Sequence, residues 1–209
     1  IGGQPETLDP QMNSASDGSN YIKHLHEGLM KHDPSGNGIV YGLADDVTIS
    51  EDGLVWTFHI RDNAKWSDGQ DVVADDFVYT FRRLVDPLTA APYAGDMGKF
   101  LKNGLAIVNG EVAPEEYGVK AIDDKTLEVT LEGPCAYFLS VMAFPTFYPV
   151  RQDIVADNPG WITDAETIIG TGAYTVESYT MDSEIVLVPN ENYYDANSHL
   201  AKKVVFKLI

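Results

Sequence analysis

The sequence LVWTFHIRDNAKWSDG at residues 54–69 decides the fold of this chain. Its first half alternates apolar and polar residues, and a period of two is typical of a half-buried strand. The apolar positions of that strand are Trp56, Phe58 and Ile60. A shorter strand pattern at residues 47–49 precedes it, and the Asp-Gly turn sequence between them predicts an antiparallel hairpin.

A helix is predicted over residues 74–85, after the Asp-Gly turn at residues 68–69. One face of this helix is apolar at spacings of four and three: Phe77, Phe81 and Leu84. Acidic residues in the first turn and arginines in the last suit the helix dipole, and an Asp-Pro pair ends the helix at residue 86. We expect the apolar faces of the strand and the helix to pack together as a compact subdomain.

The rest of the chain alternates short strand patterns with a few helical stretches, which predicts a mixed α/β fold. A first helix is expected over residues 19–30, ended by the turn-rich run 33–38. A hairpin is expected over residues 118–131, a short apolar helix over 136–143 and a weak helix over 151–157. Three strands are expected over residues 173–178, 184–188 and 203–209. Because the last strand runs to the final residue and the chain starts at Ile1, we expect a piece trimmed from a larger fold.

Composition argues against several classes of protein. With 44% hydrophobic and 22% charged residues in 209, the sequence is that of a globular chain and not of a disordered one. The 32 acidic residues against 14 basic ones give a net charge of −18, which disfavours binding to nucleic acid or to an anionic membrane surface. The single cysteine, Cys135, rules out an internal disulfide, and its apolar neighbours predict a buried, unreactive side chain.

Two groups of residues raise the possibility of a metal site. Three histidines lie on or just after the first predicted helix: His24, His26 and His32. Helix geometry points His24 and His26 about 160° apart, and no pair has the i, i+4 spacing of a chelate. A calcium-loop pattern begins at Asp33, yet Ala44 stands where a bidentate glutamate is required. We expect packed or solvated histidines and a plain turn, with no metal site.

No catalytic set is found in the sequence. Adjacent carboxylates occur on predicted turns and at a helix start, where we expect them to cap helices and to make the surface soluble rather than to catalyse. These pairs are Asp45-Asp46, Asp75-Asp76, Glu115-Glu116 and Asp123-Asp124. A nucleophile elbow, a zinc-binding helix and a phosphate-binding glycine loop are all missing. We therefore expect a binding protein without a cofactor rather than an enzyme.

The spacing of most aromatic residues predicts that they are buried in the core, and Tyr93 differs from these. It lies on a loop of small residues, 89–95, after the predicted helix has ended. A tyrosine on such a loop can offer a flat apolar face and a hydroxyl to a ligand, although a packing role remains the alternative.

Taken in chain order, several blocks of the sequence resemble those of the oligopeptide-binding proteins of ABC importers, extracytoplasmic solute-binding protein family 5. The most specific are residues 54–69 followed by residues 76–87. The other blocks are residues 5–10, 25–29, 91–94, 118–124, 170–174 and 190–195. The resemblance covers nearly the whole chain.

The resemblance implies a two-lobed periplasmic-binding-protein-like fold whose lobes close on a ligand by a hinge. It implies that this chain is most of the first lobe. Residues 1–30 and 152–209 would form a discontinuous mixed-sheet subdomain, and residues 31–151 the smaller inserted subdomain typical of peptide binders. The second lobe would be absent from this chain.

The family's first-lobe ligand contacts carry over onto two places. One is the extended segment Ser14, Ala15 and Ser16, whose backbone would pair with a bound peptide as an added strand. The other is Tyr93. Ser14 and Ser16 carry neither charge nor bulk, so the preference of the pocket for ligand side chains stays open. His26 departs from the aromatic or aliphatic residue usual in the family, which concerns local packing.

The resemblance also implies the partners and the compartment. The protein would be an extracytoplasmic monomer, periplasmic or held by a lipid anchor upstream of Ile1. It would deliver oligopeptides to a permease and its ATPase without chemistry. The same fold carries dipeptides, nickel, haem or sugars in related proteins, so the ligand class stays open. The alternatives are a peptide receptor without a transporter and an acidic secreted hydrolase.

Overall fold

The computed structural model describes residues 4–33, 35–195 and 201–208. Its strands are β1 (Met30–His32), β2 (Ile39–Tyr41), β3 (Ala44–Ile49), β4 (Val55–Ile60), β5 (Val119–Asp123), β6 (Thr126–Thr130), β7 (Tyr174–Thr180), β8 (Glu184–Pro189) and β9 (Val204–Lys207). Its α-helices are α1 (Ser16–Leu25), α2 (Ala74–Val85), α3 (Ala94–Gly98), α4 (Gly104–Val108), α5 (Phe138–Met142) and α6 (Gln152–Val155). Among the described residues, no helix combines the length and the apolar character that crossing a bilayer requires.

The main core lies between α2 and an antiparallel sheet of four strands in the order β3-β4-β6-β5. The predicted faces meet there, because the apolar side chains of β4 and of α2 are all buried in this core: Trp56, Phe58, Ile60, Phe77, Phe81 and Leu84. Phe138 of α5 lies with its ring 5.2 Å from that of Trp56. The strand through Trp56, Phe58 and Ile60 is confirmed as β4, and so are the helix at 74–85 and the turn at Gly69, where φ is +90°.

A smaller core lies where α1 packs on the antiparallel sheet β7-β8-β9. Tyr21 of α1 and Phe206 of β9 have ring centroids 4.5 Å apart. β7 and β8 confirm two of the predicted strands, and β9 confirms the third within the described residues, since Ile209 lies outside them.

The predicted bounds of the first helix are wrong. Helix α1 starts at Ser16 and ends at Leu25, and Met30 already belongs to β1. Backbone contacts with a distant segment end the helix early. The N–H of Gly172 donates to the carbonyl of Leu25 at 2.9 Å. A Cβ atom on Gly170 would lie 1.9 Å from that carbonyl oxygen, so only glycine permits the approach.

Three smaller predictions need correction. The helices predicted over 136–143 and 151–157 shorten to α5 and α6. Cys135 is half-buried rather than buried. The run 33–38 does form a turn, with φ of +81° at Gly36, although Pro34 lies outside the described residues.

Candidate functional site

The structure brings the four predicted contact residues to one cavity of about 240 Å³. We call this cavity the serine pocket. Its lining is Pro10, Asn13, Ser14, Ala15, Ser16, Ser19, Lys23, His32, Tyr93, Phe144, Pro145 and Thr146. Ser14, Ala15 and Ser16 form one wall, and Tyr93 comes from the loop before α3. That these residues contact a ligand stays a prediction.

The backbone of the serine wall has free hydrogen-bond donors. Ala15 is extended, with φ of −103° and ψ of 146°. Ser16 is the first helical residue, so the predicted extended segment ends one residue early. The N–H groups of Ser14, Ala15 and Ser16 donate to no other described residue. Free N–H groups beside an opening can pair with the carbonyls of an extended peptide.

Asn13 fixes the turn that precedes α1. Its Nδ2 donates to the carbonyl of Ala15 and to Oγ of Ser19, both at 3.0 Å. The Ser19 hydroxyl also donates to the Ala15 carbonyl, at 3.1 Å. The carbonyl of Ala15 therefore accepts its hydrogen bonds from within the turn, in contrast to the N–H groups of the same segment.

A buried ion pair anchors the same segment to α2. The guanidinium of Arg83 donates to both carboxylate oxygens of Asp9, at 3.0 and 2.6 Å, and to Oε1 of Gln11 at 2.7 Å. Gln11 in turn donates to the carbonyls of Thr146 and Tyr148, each at 3.0 Å. Because Thr146 also lines the serine pocket, these bonds join its two sides.

Tyr93 is half-buried at the start of α3 and packs edge to face on Phe144, with ring centroids 5.3 Å apart. An edge-to-face pair of this kind holds both rings in place while one surface of the tyrosine remains open.

Sequence reasoning missed Phe144 and Lys23 in the pocket and considered His32 only as a metal ligand. A signal for Lys23 was available, because Ser16, Ser19 and Lys23 follow the spacing of one helix face. No local pattern could place Phe144 or His32, because the tertiary fold brings them to the pocket.

A second polar group, which we call the tyrosine cluster, consists of Glu27, Lys31, Tyr193 and Tyr194. The ammonium of Lys31 lies 3.0 Å from Oε2 of Glu27 and donates to the hydroxyls of Tyr193 at 3.0 Å and Tyr194 at 2.8 Å. Both tyrosine hydroxyls donate to the Glu27 carboxylate.

Ionisation in the tyrosine cluster follows from these contacts. Burial and the adjacent Glu27 carboxylate raise the pKa of Tyr193 and Tyr194, so both hydroxyls stay protonated and act as donors. Burial opposes the charge of Lys31, but attraction to Glu27 and the bond to Tyr194 together raise its pKa. The cluster joins β1 and the residue Glu27 that precedes it to the connection after β8.

The three histidines considered as metal ligands lie in three different surroundings. The His24 ring packs on those of Tyr174 and Phe206, His32 lines the serine pocket, and His26 lies edge-on to Trp161. In the described part of the chain, no group of three or more histidine, cysteine or acidic side chains is placed to hold a metal ion.

His26 is fully buried, and its ring nitrogens make no hydrogen bond of ordinary geometry to a described residue, although the Pro149 backbone lies close enough to favour the charged form of the ring. Burial lowers the pKa of His26 to about 4, against the attraction of Asp9. The ring is therefore neutral at pH 7.

A larger cavity of about 990 Å³ runs along α2, and we call it the α2 groove. It is lined by the paired Asp9 and Arg83 and by other charged groups, among them Arg82, whose Nη2 donates to the carbonyl of Glu115 at 3.2 Å. None of the predicted contact residues lines this groove, so its size alone does not make it the candidate site.

Residues 38–209 match the family model described as bacterial extracellular solute-binding proteins, family 5 Middle. The chain belongs to this family. Among relatives, it is 37% identical over 204 residues to the periplasmic murein peptide-binding protein MppA of Escherichia coli. It is also 37% identical over 206 residues to the periplasmic oligopeptide-binding protein OppA of Salmonella typhimurium.

These family members are longer than the chain. The matches take in 97% of the chain but 37% of MppA, and 98% of the chain but 38% of OppA. Among solved structures, Listeria monocytogenes OppA bound to peptide superposes over the whole chain and 41% of its own length, with a TM-score of 0.94 and 34% identity. The predicted family is confirmed, and so is its mixed α/β fold.

Proposed function

We propose that the protein captures oligopeptides outside the cytoplasm and delivers them to an ABC permease and its ATPase, without catalysing a reaction. The observation that carries this proposal is the serine pocket. There, Tyr93 and three backbone N–H groups that have no partner among the described residues belong to the lining of one cavity. Backbone donors recognise any extended peptide, so affinity would come from the main chain and selectivity from the surrounding side chains.

The division into subdomains is part of the proposal. The buried residues of the main core lie between Leu29 and Phe147, whereas those of the smaller core lie at residues 8–25 and 168–208. This distribution supports an inserted subdomain at 31–151 within a discontinuous one at 1–30 and 152–209. We propose that these form one lobe, and that a second lobe of the full-length protein closes over the serine pocket.

Ser16→Pro tests the backbone contact directly. Ser16 is the first residue of α1, where proline is favoured, and the extended Ala15 suits the position before a proline. The variant removes one free N–H and leaves the helix able to form. Ser16→Ala is the matched control, because it removes the hydroxyl and keeps the N–H.

The experiment measures peptide affinity by calorimetry on the full-length gene product, after native mass spectrometry has identified the masses it carries. Losing one backbone hydrogen bond should weaken binding about tenfold in Ser16→Pro, with little change in Ser16→Ala. Equal affinities for both variants and the wild type would contradict the strand-addition mode. One discrete non-peptide mass would overturn the peptide assignment.

A further inference from the structure

The charges in the serine pocket differ from those of the rest of the chain. Lys23 and His32 are the two basic residues of its lining, and among the described residues no acidic side chain lines it. The chain as a whole carries a net charge of −18. The α2 groove has five carboxylates in its lining: Glu6, Asp9, Asp75, Asp86 and Glu115. A basic pocket on such an acidic protein attracts an anion locally.

Lys23 is available to a ligand. Its exposed side chain makes no ion pair or hydrogen bond with the described residues, whereas five other lysines each pair with a carboxylate: Lys31, Lys65, Lys120, Lys203 and Lys207. Asp17 lies six residues before Lys23, a spacing that places it off the Lys23 face of α1. Lys23 shares that face with Ser16 and Ser19, which also line the pocket.

His32 reaches the pocket because β1 alternates its side chains. Lys31 points into the tyrosine cluster, and the next residue, His32, turns to the opposite side and lines the serine pocket. The neighbouring Asp33 carboxylate accepts bonds from the N–H and the hydroxyl of Ser35, at 2.9 and 2.6 Å. That carboxylate is therefore engaged within its own turn.

We infer that the serine pocket receives a carboxylate of the bound peptide, held by Lys23 with His32 beside it. This inference rests on the proposed function and names the group that the pocket recognises as a carboxylate of the peptide. The hydroxyl of Ser14 on the same wall supplies a donor for the second carboxylate oxygen. The carboxylate has two possible sources, an aspartate or glutamate side chain or the free carboxyl terminus of the peptide.

The test measures calorimetric affinities of the full-length gene product for four matched peptides, which carry glutamate or glutamine at one position and a free or an amidated carboxyl terminus. We expect about a fivefold preference for the peptide bearing the recognised carboxylate, reduced at high salt. A preference for glutamate identifies the side chain as the source. A preference for the free acid identifies the terminus.

Lys23→Gln should abolish that preference by lowering the affinity for the peptide that bears the recognised carboxylate. Lys102→Gln is the matched control, because Lys102 is also an exposed lysine and lies outside the pocket lining. It makes the same change in net charge and should keep the preference.

Two negative results have different meanings. Peptide binding with no preference for a carboxylate, or a preference that survives Lys23→Gln, overturns this inference and leaves the proposed function standing. Failure to bind any peptide overturns the proposed function itself.

Discussion

The tyrosine cluster and the serine pocket both draw polar side chains from the first 32 residues, but they use them differently. In the tyrosine cluster every charged or hydroxyl group named has a partner within the cluster. In the serine pocket three successive N–H groups and the ammonium of Lys23 have none among the described residues. Buried polar groups without partners are costly, whereas exposed ones cost little and remain free for a ligand. Polar groups whose hydrogen bonds are all made within the fold therefore stabilise the structure of this chain, and polar groups left without a partner at an opening mark the candidate site.

Glu27→Ala should have the largest effect, because it removes the acceptor on which the whole tyrosine cluster depends. Lys31 and two tyrosine hydroxyls would lose their partner in a mostly buried place. We expect the free energy of unfolding to fall by about 3–5 kcal/mol, measured by urea denaturation at pH 7. A loss below about 1 kcal/mol would show that the cluster does not stabilise the fold.

His26→Leu tests a third kind of polar group, a buried ring whose nitrogens make no hydrogen bond of ordinary geometry to the described residues. The folded pKa of His26, about 4, lies below the ordinary 6.5, so the unfolded chain takes up a proton that the folded one excludes. Above pH 6.5 the protonation of His26 does not lower the free energy of unfolding. As the pH falls from 6.5 to 4, proton uptake by the unfolded chain lowers that free energy progressively. At 1.36 kcal/mol per pKa unit, the loss is about 3 kcal/mol.

The measurement compares urea denaturation of the wild type and His26→Leu at pH 7 and pH 4. The variant lacks the proton-binding group. The difference in free energy of unfolding between the variant and the wild type should therefore shift by about 3 kcal/mol in favour of the variant from pH 7 to pH 4. If both proteins lose stability equally, other groups account for the acid sensitivity.

Tyr93→Ala should act on binding rather than on folding. It removes the aromatic wall of the serine pocket and its contact with Phe144, so peptide affinity should fall about tenfold, or about 1.4 kcal/mol. Tyr137→Ala is the control, because Tyr137 is 61% exposed and lies outside the pocket lining. Calorimetry that found the same loss in both variants would remove Tyr93 from the site.

Glu184→Ala should have the smallest effect. Glu184 forms an ion pair with Lys207 across β8 and β9, and the Lys207 side chain is 68% exposed. Solvent screens such a pair, so the change in unfolding free energy should stay below about 1 kcal/mol. A loss of unfolding free energy as large as that of Glu27→Ala would show that the loss depends on breaking the ion pair and not on how deeply the pair is buried.

Local patterns in the sequence predicted much of this fold. The period of two in β4 and the i, i+4, i+7 face of α2 each specify an element and its buried side, and both strands of the 118–131 hairpin form as expected. The end of α1 was not predictable in this way. It depends on Gly170 and Gly172, which approach Leu25 from far along the chain.

In the candidate site, too, some features were predictable from the sequence and others depend on contacts that only the structure shows. The resemblance to peptide binders directed attention to Ser14, Ala15, Ser16 and Tyr93, and the structure places all four at one cavity. The roles of Asn13 and Gln11 in shaping it follow only from hydrogen bonds, one set across a turn and the other to residues 146 and 148. Spacing along the chain carries no information on such partners.

Trp161 gives the chain an optical reporter of its buried histidine. Its indole lies edge-on to the His26 ring, 6.2 Å away, while the other two tryptophans lie in the main core. A protonated imidazole quenches indole fluorescence far more strongly than a neutral one. The emission of Trp161 should therefore fall as His26 takes up a proton, which reports that protonation without an attached dye.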